Sequence, residues 1–180
     1  LFHIDKLVIA QGQRIVLLGE NGMGKSTLVN IIHKAFRDIE ASRKDGIFIT
    51  PTAKLGYIDQ LLSTMPMDKT VEDYIAGEFT MRHQDVIMKL IESGFPFRRQ
   101  DKKIGVLSGG ERSRLYLLVL RLLQPNFYIM DEPTNHLDIS GQEQLEAEIM
   151  KNGASCVLVS HDRSFVSNLG TKFLVIHKKK

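Results

Sequence analysis

The stretch Gly19-Glu20-Asn21-Gly22-Met23-Gly24-Lys25-Ser26 fits the spacing G-x-x-x-x-G-K-[ST]. That spacing suits a loop whose backbone N–H groups turn inward around phosphate oxygens. A helix beginning at its end adds a positive dipole pole. Lys25 is then placed to reach β- and γ-phosphates, and Ser26 to offer a hydroxyl to Mg²⁺. A glycine-rich turn that merely contains Lys-Ser is the bland alternative; the apolar run before it and the helical pattern after it argue against that. A second pair, Asp131-Glu132, closes the apolar run 127–130. The carboxyl ends of such strands are where α/β sheets hold ligands. Asp131 can hold Mg²⁺ directly or through water. Glu132, the next residue, is expected to point elsewhere and to polarise an attacking water as general base. Alone, these acids would read as a pair opening a turn before Pro133; after a phosphate loop in the same chain they read as hydrolytic. Leu107-Ser108-Gly109-Gly110-Glu111 is a helix start. It is either a plain N-cap with flexible glycines or a place where free N–H groups favour phosphate. Gln60 ends Leu-Gly-Tyr-Ile-Asp-Gln, and His161 follows the apolar run 156–159. By itself that His reads more readily as structural.

These residues need a scaffold, and the hydrophobic patterning supplies one. Residues 14–18 (RIVLL) predict a buried strand ahead of the loop, and 25–36 a helix. Residues 47–50 and 55–58 are short strand candidates separated by Pro51. Residues 71–78 and 82–93 are helical in pattern, and 108–123 predict a long helix with Glu111 in its first turn. Residues 127–130, 156–159 and 173–176 predict further strands. Residues 140–151 predict a helix, with Ser140 and Glu143 as a capping box. Continuous apolar strands alternating with helices mean strands covered on both faces, hence a mainly parallel α/β sheet. Residues 61–106 interrupt the alternation with helical, charged, Met-containing sequence and predict an insertion into the sheet domain.

The length, 180 residues, matches one domain. Composition, 43% hydrophobic and 25% charged, is that of a globular domain and excludes a wholly disordered, collagen-like or coiled-coil chain. No apolar run reaches the length of a transmembrane helix, and no secretory signal pattern opens the chain. The formal charge of +3 and pI near 9.0 are compatible with a nucleic-acid partner without demanding one. Cys156 is the one cysteine. It excludes a disulfide framework or multi-cysteine metal site and is expected to be a small buried strand residue. The basic run Arg98, Arg99, Lys102 and Lys103 and the closing Lys178–Lys180 are expected to be solvated. The chain opens on Leu1, so the sequence reads as a segment of a longer one.

GENGMGKS, Gln60, LSGGE, FYIMDE, Asp138 and His161, in this order from about residue 7 to residue 176, resemble the nucleotide-binding domain of ATP-binding cassette (ABC) proteins. The resemblance implies an α/β, RecA-like P-loop NTPase fold. It implies one cassette over residues 1–180, with a core at about 1–60 and 107–180 and a helical subdomain at about 61–106. It further implies ATP and Mg²⁺ as ligands. Gly19, Asn21, Gly22, Gly24, Lys25, Ser26 and Thr27 would form the phosphate loop. Ser26, Gln60 and Asp131 would contact the metal, Gln60 also the attacking water, and His161 the γ-phosphate. Two cassettes of the family pair head to tail, so Ser108, Gly109 and Gly110 of one would cover the γ-phosphate held by the other, where Asp138 also meets its partner. The partner would be a homodimer mate or a second cassette of the same parent chain.

Asn135-His136 after the carboxylates, with Ser160-His161-Asp162-Arg163 later, is similar to the ABC-F branch. That likeness implies a cytoplasmic ATPase acting on the ribosome, as a translation or antibiotic-resistance factor. The alternatives are the ATPase subunit of a membrane ABC transporter, with the basic run 98–103 in its docking region, and a non-hydrolytic ATP-gated module. Two departures stand out. Phe2 is the sole Phe, Tyr or Trp before Gly19 and lies too close to serve as the family's adenine-stacking residue, so the small β-subdomain is expected to be truncated. No charged helical linker follows the cassette.

Overall fold

The computed structural model describes residues 6–58 and 65–177. Gln60, Phe2 and Lys178–Lys180 lie outside the described residues.

Five runs rich in β-branched and aromatic residues form the strands: β1 (Arg14–Leu18), β2 (Leu55–Ile58), β3 (Phe127–Asp131), β4 (Ser155–Val159) and β5 (Lys172–Val175). They make one sheet in the order β2-β3-β4-β1-β5, every adjacent pair parallel. The period of two sorts each strand between two cores. Ile15 and Leu17 of β1, Ile129 of β3 and Val157 and Val159 of β4 face one side, where they pack with Leu28 and Val29 of α1 (Lys25–Arg37). Val16, Tyr128, Met130, Cys156 and Leu158 face the other. That side is covered by α5 (Gly109–Leu123), α6 (Ile139–Lys151) and α7 (Arg163–Leu169), through Leu115, Leu118, Leu145, Ile149 and Phe165. Burial on both faces is why the strands read as unbroken apolar runs. Each fully buried Leu, Ile or Val stabilises the fold by ~1.5–3 kcal/mol.

Between β2 and α5 the chain forms α3 (Val71–Glu78) and α4 (His83–Glu92), followed by two short 3-10 turns at Phe97–Arg99 and Ile104–Val106. Thr70 caps α3 by accepting from Asp73 N–H. Val71, Ile75, Val86, Leu90, Phe95 and Ile104 are buried in the same apolar cluster as the sheet residues. The helical segment is therefore welded to one face of the sheet by a continuous core.

Three details depart from the sequence-based expectations. Residues 47–50 form no strand; they follow α2 (Ile39–Lys44), a short helix capped by Asp38 that periodicity over so few residues does not show. The N-cap of α6 is Asp138, whose Oδ1 accepts from Gly141 N–H at 2.8 Å, and not the Ser140–Glu143 box. A carboxylate two residues upstream captures the free amide first. Helix α7, seven residues capped by Asp162, was also absent from the patterning. Cys156 is buried in β4, as expected.

Candidate active site

Three adjacent strands, β3, β4 and β1, deliver their carboxyl ends to one cleft of about 560 Å³. Strand β1 ends at Leu18 and the phosphate loop follows at once. Gly19 has φ +148°, and a Cβ there would stand 2.8 Å from the Ile176 carbonyl oxygen. Gly24, at φ +99°, is the N-cap of α1. Only glycine takes both conformations without strain. Because Gly24 offers no side chain, the first turn of α1 is uncapped, and it also holds no acid. Helices α2, α3, α5, α6 and α7 all have a side-chain cap. The N–H groups and dipole of α1 are thus open towards the cleft, the condition for anion binding.

Lys25 is 92% withdrawn from solvent. Its ammonium donates to the Gly19 carbonyl at 2.7 Å and the Glu20 carbonyl at 3.1 Å, which stretches the side chain back along its own loop. An ammonium has three donors, so one stays available to a ligand. Asn21, Gly22, Gly24, Lys25, Ser26 and Thr27 line the cleft from this side.

Asp131 and Glu132 line it from the other. Consecutive strand residues normally point to opposite faces, which underlies the expectation that they diverge. The alternation breaks here because Glu132 adopts φ +53°, ψ +52°, in the left-handed region. Its N–H still donates to the Val159 carbonyl at 2.8 Å, tethering the turn to β4. A bulky residue held there stores strain of about 1–3 kcal/mol, a feature that clusters at functional sites. The Glu132 carboxylate is nearly buried and accepts from His161 N–H at 3.3 Å, while the His161 imidazole Nε2 stands 3.5 Å from Oε1. The imidazole is 71% exposed, so the pair joins an internal carboxylate to a ring at the cleft mouth.

The donor set fits a hard divalent cation carried in with a phosphate ligand. Ser26 offers a hydroxyl and Asp131 a carboxylate in the same cleft. Mg²⁺ favours one or two such oxygens, with water and substrate phosphate completing its shell. Among the described residues no three His, Cys, Asp or Glu cluster as a self-sufficient metal cage.

Ser108, Gly109, Gly110 and Asp138 do not line this cleft. Ser108 caps α5 in a complete capping box with Glu111, and Gly109 and Gly110 open the helix on an exposed surface. Asn135 does line the cleft, although the sequence marks it only as part of the Asn-His pair. Its N–H donates to the Glu132 carbonyl at 3.3 Å, because the turn at Glu132 folds the following 3-10 segment back over the site. No spacing rule signals that fold-back. Val159, the last residue of β4, is the other lining residue that chemistry alone does not single out.

A phosphate loop on the first strand and an acid pair on a strand two positions away in a parallel sheet define a P-loop nucleotide-binding domain. The profile of the ABC transporter family matches residues 2–135, and the chain belongs to that family. It is 32% identical over 177 residues to the ribosome protection protein VmlR of Bacillus subtilis, covering 98% of this chain and 31% of VmlR. It is 31% identical over 179 residues to ABC transporter F family member 2 of Arabidopsis thaliana, covering 98% and 26%. The chain thus spans less than a third of the length of these relatives, and it is an ABC-type nucleotide-binding domain related to the ABC-F branch. The fold matches the dimeric structure of MJ0796, a bacterial ABC transporter cassette, with TM-score 0.67 at 21% identity, over 94% of this chain and 83% of that one.

Proposed function

We propose that this chain is one cassette, with residues 61–106 as its helical subdomain, of a cytoplasmic ABC-F ATPase that acts on the ribosome. The observation carrying the ATPase reading is the convergence of Lys25, Ser26, Asp131, Glu132 and His161 on one cleft beneath an uncapped helix N-terminus.

ATP is the substrate. The phosphate loop and the α1 N-terminus receive the triphosphate, with Lys25 giving its remaining donor to the β- and γ-phosphates. Ser26 and Asp131, joined by Gln60, would hold Mg²⁺, which supplies charge neutralisation on the phosphate oxygens when bound. Glu132 takes the proton of an attacking water and aims it in line with the γ-phosphate. His161, held by Glu132, contacts the γ-phosphate from the cleft mouth. Burial around Glu132 keeps its orientation fixed before the reaction, so little reorganisation is needed at the transition state.

The site is completed by a second cassette, in the same parent chain or a second copy. Gly109 and Gly110 support this. Neither has a positive φ, and a Cβ built on either meets none of the described residues within 4 Å. The packing of the described residues therefore has no need of glycine there, and a residue with a side chain would restrict the unfolded chain and stabilise the fold by about 0.4–1 kcal/mol. A surface that must let a phosphate and its surrounding loop approach the α5 N-terminus does need it. Asp138 faces the same encounter while capping α6. Closure on ATP and loosening after hydrolysis make the nucleotide a differential ligand for the closed pair.

The ribosome as partner is supported by the likeness to the ribosome protection protein VmlR and by Asn135-His136. Among the described residues no helix is long and apolar enough to cross a membrane. The deciding experiment is co-sedimentation of the full parent protein carrying Glu132→Gln with ribosomes, in ATP and in ADP. Pelleting with ribosomes in ATP and release in ADP is expected. Recovery on membranes in place of ribosomes would overturn the ribosomal assignment in favour of a transporter subunit.

A further inference from the structure

We propose that Arg99 is a positioning residue for the Ser108–Gly110 segment, acting through Glu111 to let that segment meet an anion; this rests on the reading that the segment completes the opposing cassette's site. Glu111 is the third residue of α5. Its Oε2 accepts from the Ser108 backbone N–H at 2.9 Å and from the Ser108 hydroxyl at 2.9 Å. Its own N–H donates to Ser108 Oγ at 3.3 Å. The Ser108 hydroxyl proton is thus already committed to a carboxylate. The other carboxylate oxygen, Oε1, is ion-paired with Arg99 Nη1.

Burial decides what that ion pair does. The Glu111 side chain is only 12% exposed, so its charge is poorly screened by water. A γ-phosphate arriving at Ser108 would meet this negative charge a single hydrogen bond away. Arg99 cancels it. With Glu111 neutralised on one oxygen, the Ser108 hydroxyl can pass its proton donation from Oε2 to the phosphate without leaving an unpaired buried carboxylate.

Arg99 is in turn fixed by the helical segment. Its N–H donates to the Pro96 carbonyl at 2.7 Å. The adjoining Gln100 is 1% exposed; its carbonyl accepts from Glu72 N–H at 3.0 Å, at the start of α3, and its side-chain amide donates to the Phe95 carbonyl at 2.9 Å. The charge state facing the incoming phosphate is therefore set by where the helical segment holds Arg99.

The test uses the full parent protein, steady-state ATP hydrolysis and binding of a fluorescent ATP analogue. Arg99→Ala is expected to lower kcat/KM about fivefold, the scale of one partly exposed charge pair, and to leave analogue binding at the Lys25 cleft unchanged. Arg99→Ala with Glu111→Gln is expected to recover turnover, because Gln keeps the capping box while removing the charge. A role confined to packing of the Arg99 side chain would not be rescued by that second change. Wild-type turnover in Arg99→Ala, or a double variant as impaired as the single, overturns the proposal. Gly109→Asp tests the underlying reading separately. The open space at Gly109 keeps the fold, which thermal melting checks, and turnover should be lost. Persisting turnover there overturns the reading and the proposal with it. Lost turnover there with normal rates in Arg99→Ala overturns the Arg99 role alone.

Discussion

In the proposed mechanism Glu132 carries most of the site's chemistry. Its left-handed backbone breaks strand alternation, brings its carboxylate beside Asp131 in the cleft, and sets it against His161. Glu132→Gln keeps the shape and the hydrogen bond from His161 N–H but removes the proposed base. ATP turnover is expected to fall by about 10²–10⁴-fold with nucleotide binding retained; a phosphate-release assay beside an equilibrium binding titration checks both. Lys25→Ala should do the reverse, weakening nucleotide binding itself. Cys156 shows the effect of burial on a residue outside the proposed mechanism. Burial pushes its thiol from 9.0 up to about 12. A raised folded pKa stabilises the fold below the ordinary thiol value, and that contribution is lost as pH rises from about 9 towards 12. The folded protein at pH 8 should therefore resist iodoacetamide, whereas the urea-unfolded chain should be alkylated within minutes. Rapid alkylation of the native state would contradict its burial.

Helix termini divide the labour at the scale of elements. Helix α1 begins on a glycine with no side-chain cap, whereas α5 begins on a capping box in which Glu111 holds the Ser108 hydroxyl. Two glycines carry opposite consequences. Gly19→Ala places a methyl 2.8 Å from a backbone carbonyl at φ +148°. It should destabilise the domain by a few kcal/mol, measured by urea unfolding, and weaken nucleotide binding. Gly109→Ala meets none of the described residues, at a φ that is not positive, and should stabilise the isolated fold by about 0.4–1 kcal/mol. The elements themselves were mostly legible. β1, β2, α1, α3 and α5 fall within a residue or two of their hydrophobic patterns, because long periodic or unbroken apolar runs leave few alternatives. Helices α2 and α7, of six and seven residues, did not show, since fewer than two turns cannot establish a period. The α6 cap departs from the local pattern for a related reason. Ser140 and Glu143 fit the local rule, but Asp138 sits where the chain enters the helix.

At the scale of the molecule, one continuous core joins the helical segment to the sheet. Leu90 of α4 is fully buried in the cluster that also holds Val16 of β1. Leu90→Ala should cost about 2–5 kcal/mol in urea unfolding. It should shift the transition of the whole domain and not of the helical segment alone, because the two share that cluster; two separated transitions would show that they unfold independently.

The chemistry of this protein was written locally. GENGMGKS, the apolar run into Asp131-Glu132, and LSGGE each specify residue types at short spacing, and short spacing is dictated by backbone geometry that a sequence displays directly. The family and the parallel α/β architecture followed from the same runs. The tertiary structure decided which of these meet. It placed β4 between β3 and β1, so that His161 lies against Glu132 although 29 residues separate them. It folded Asn135 over the cleft through one left-handed residue, and it set Arg99 against Glu111 from a different part of the chain. Such pairings depend on strand order and on how two packed segments share a core, and neither has any trace in local periodicity.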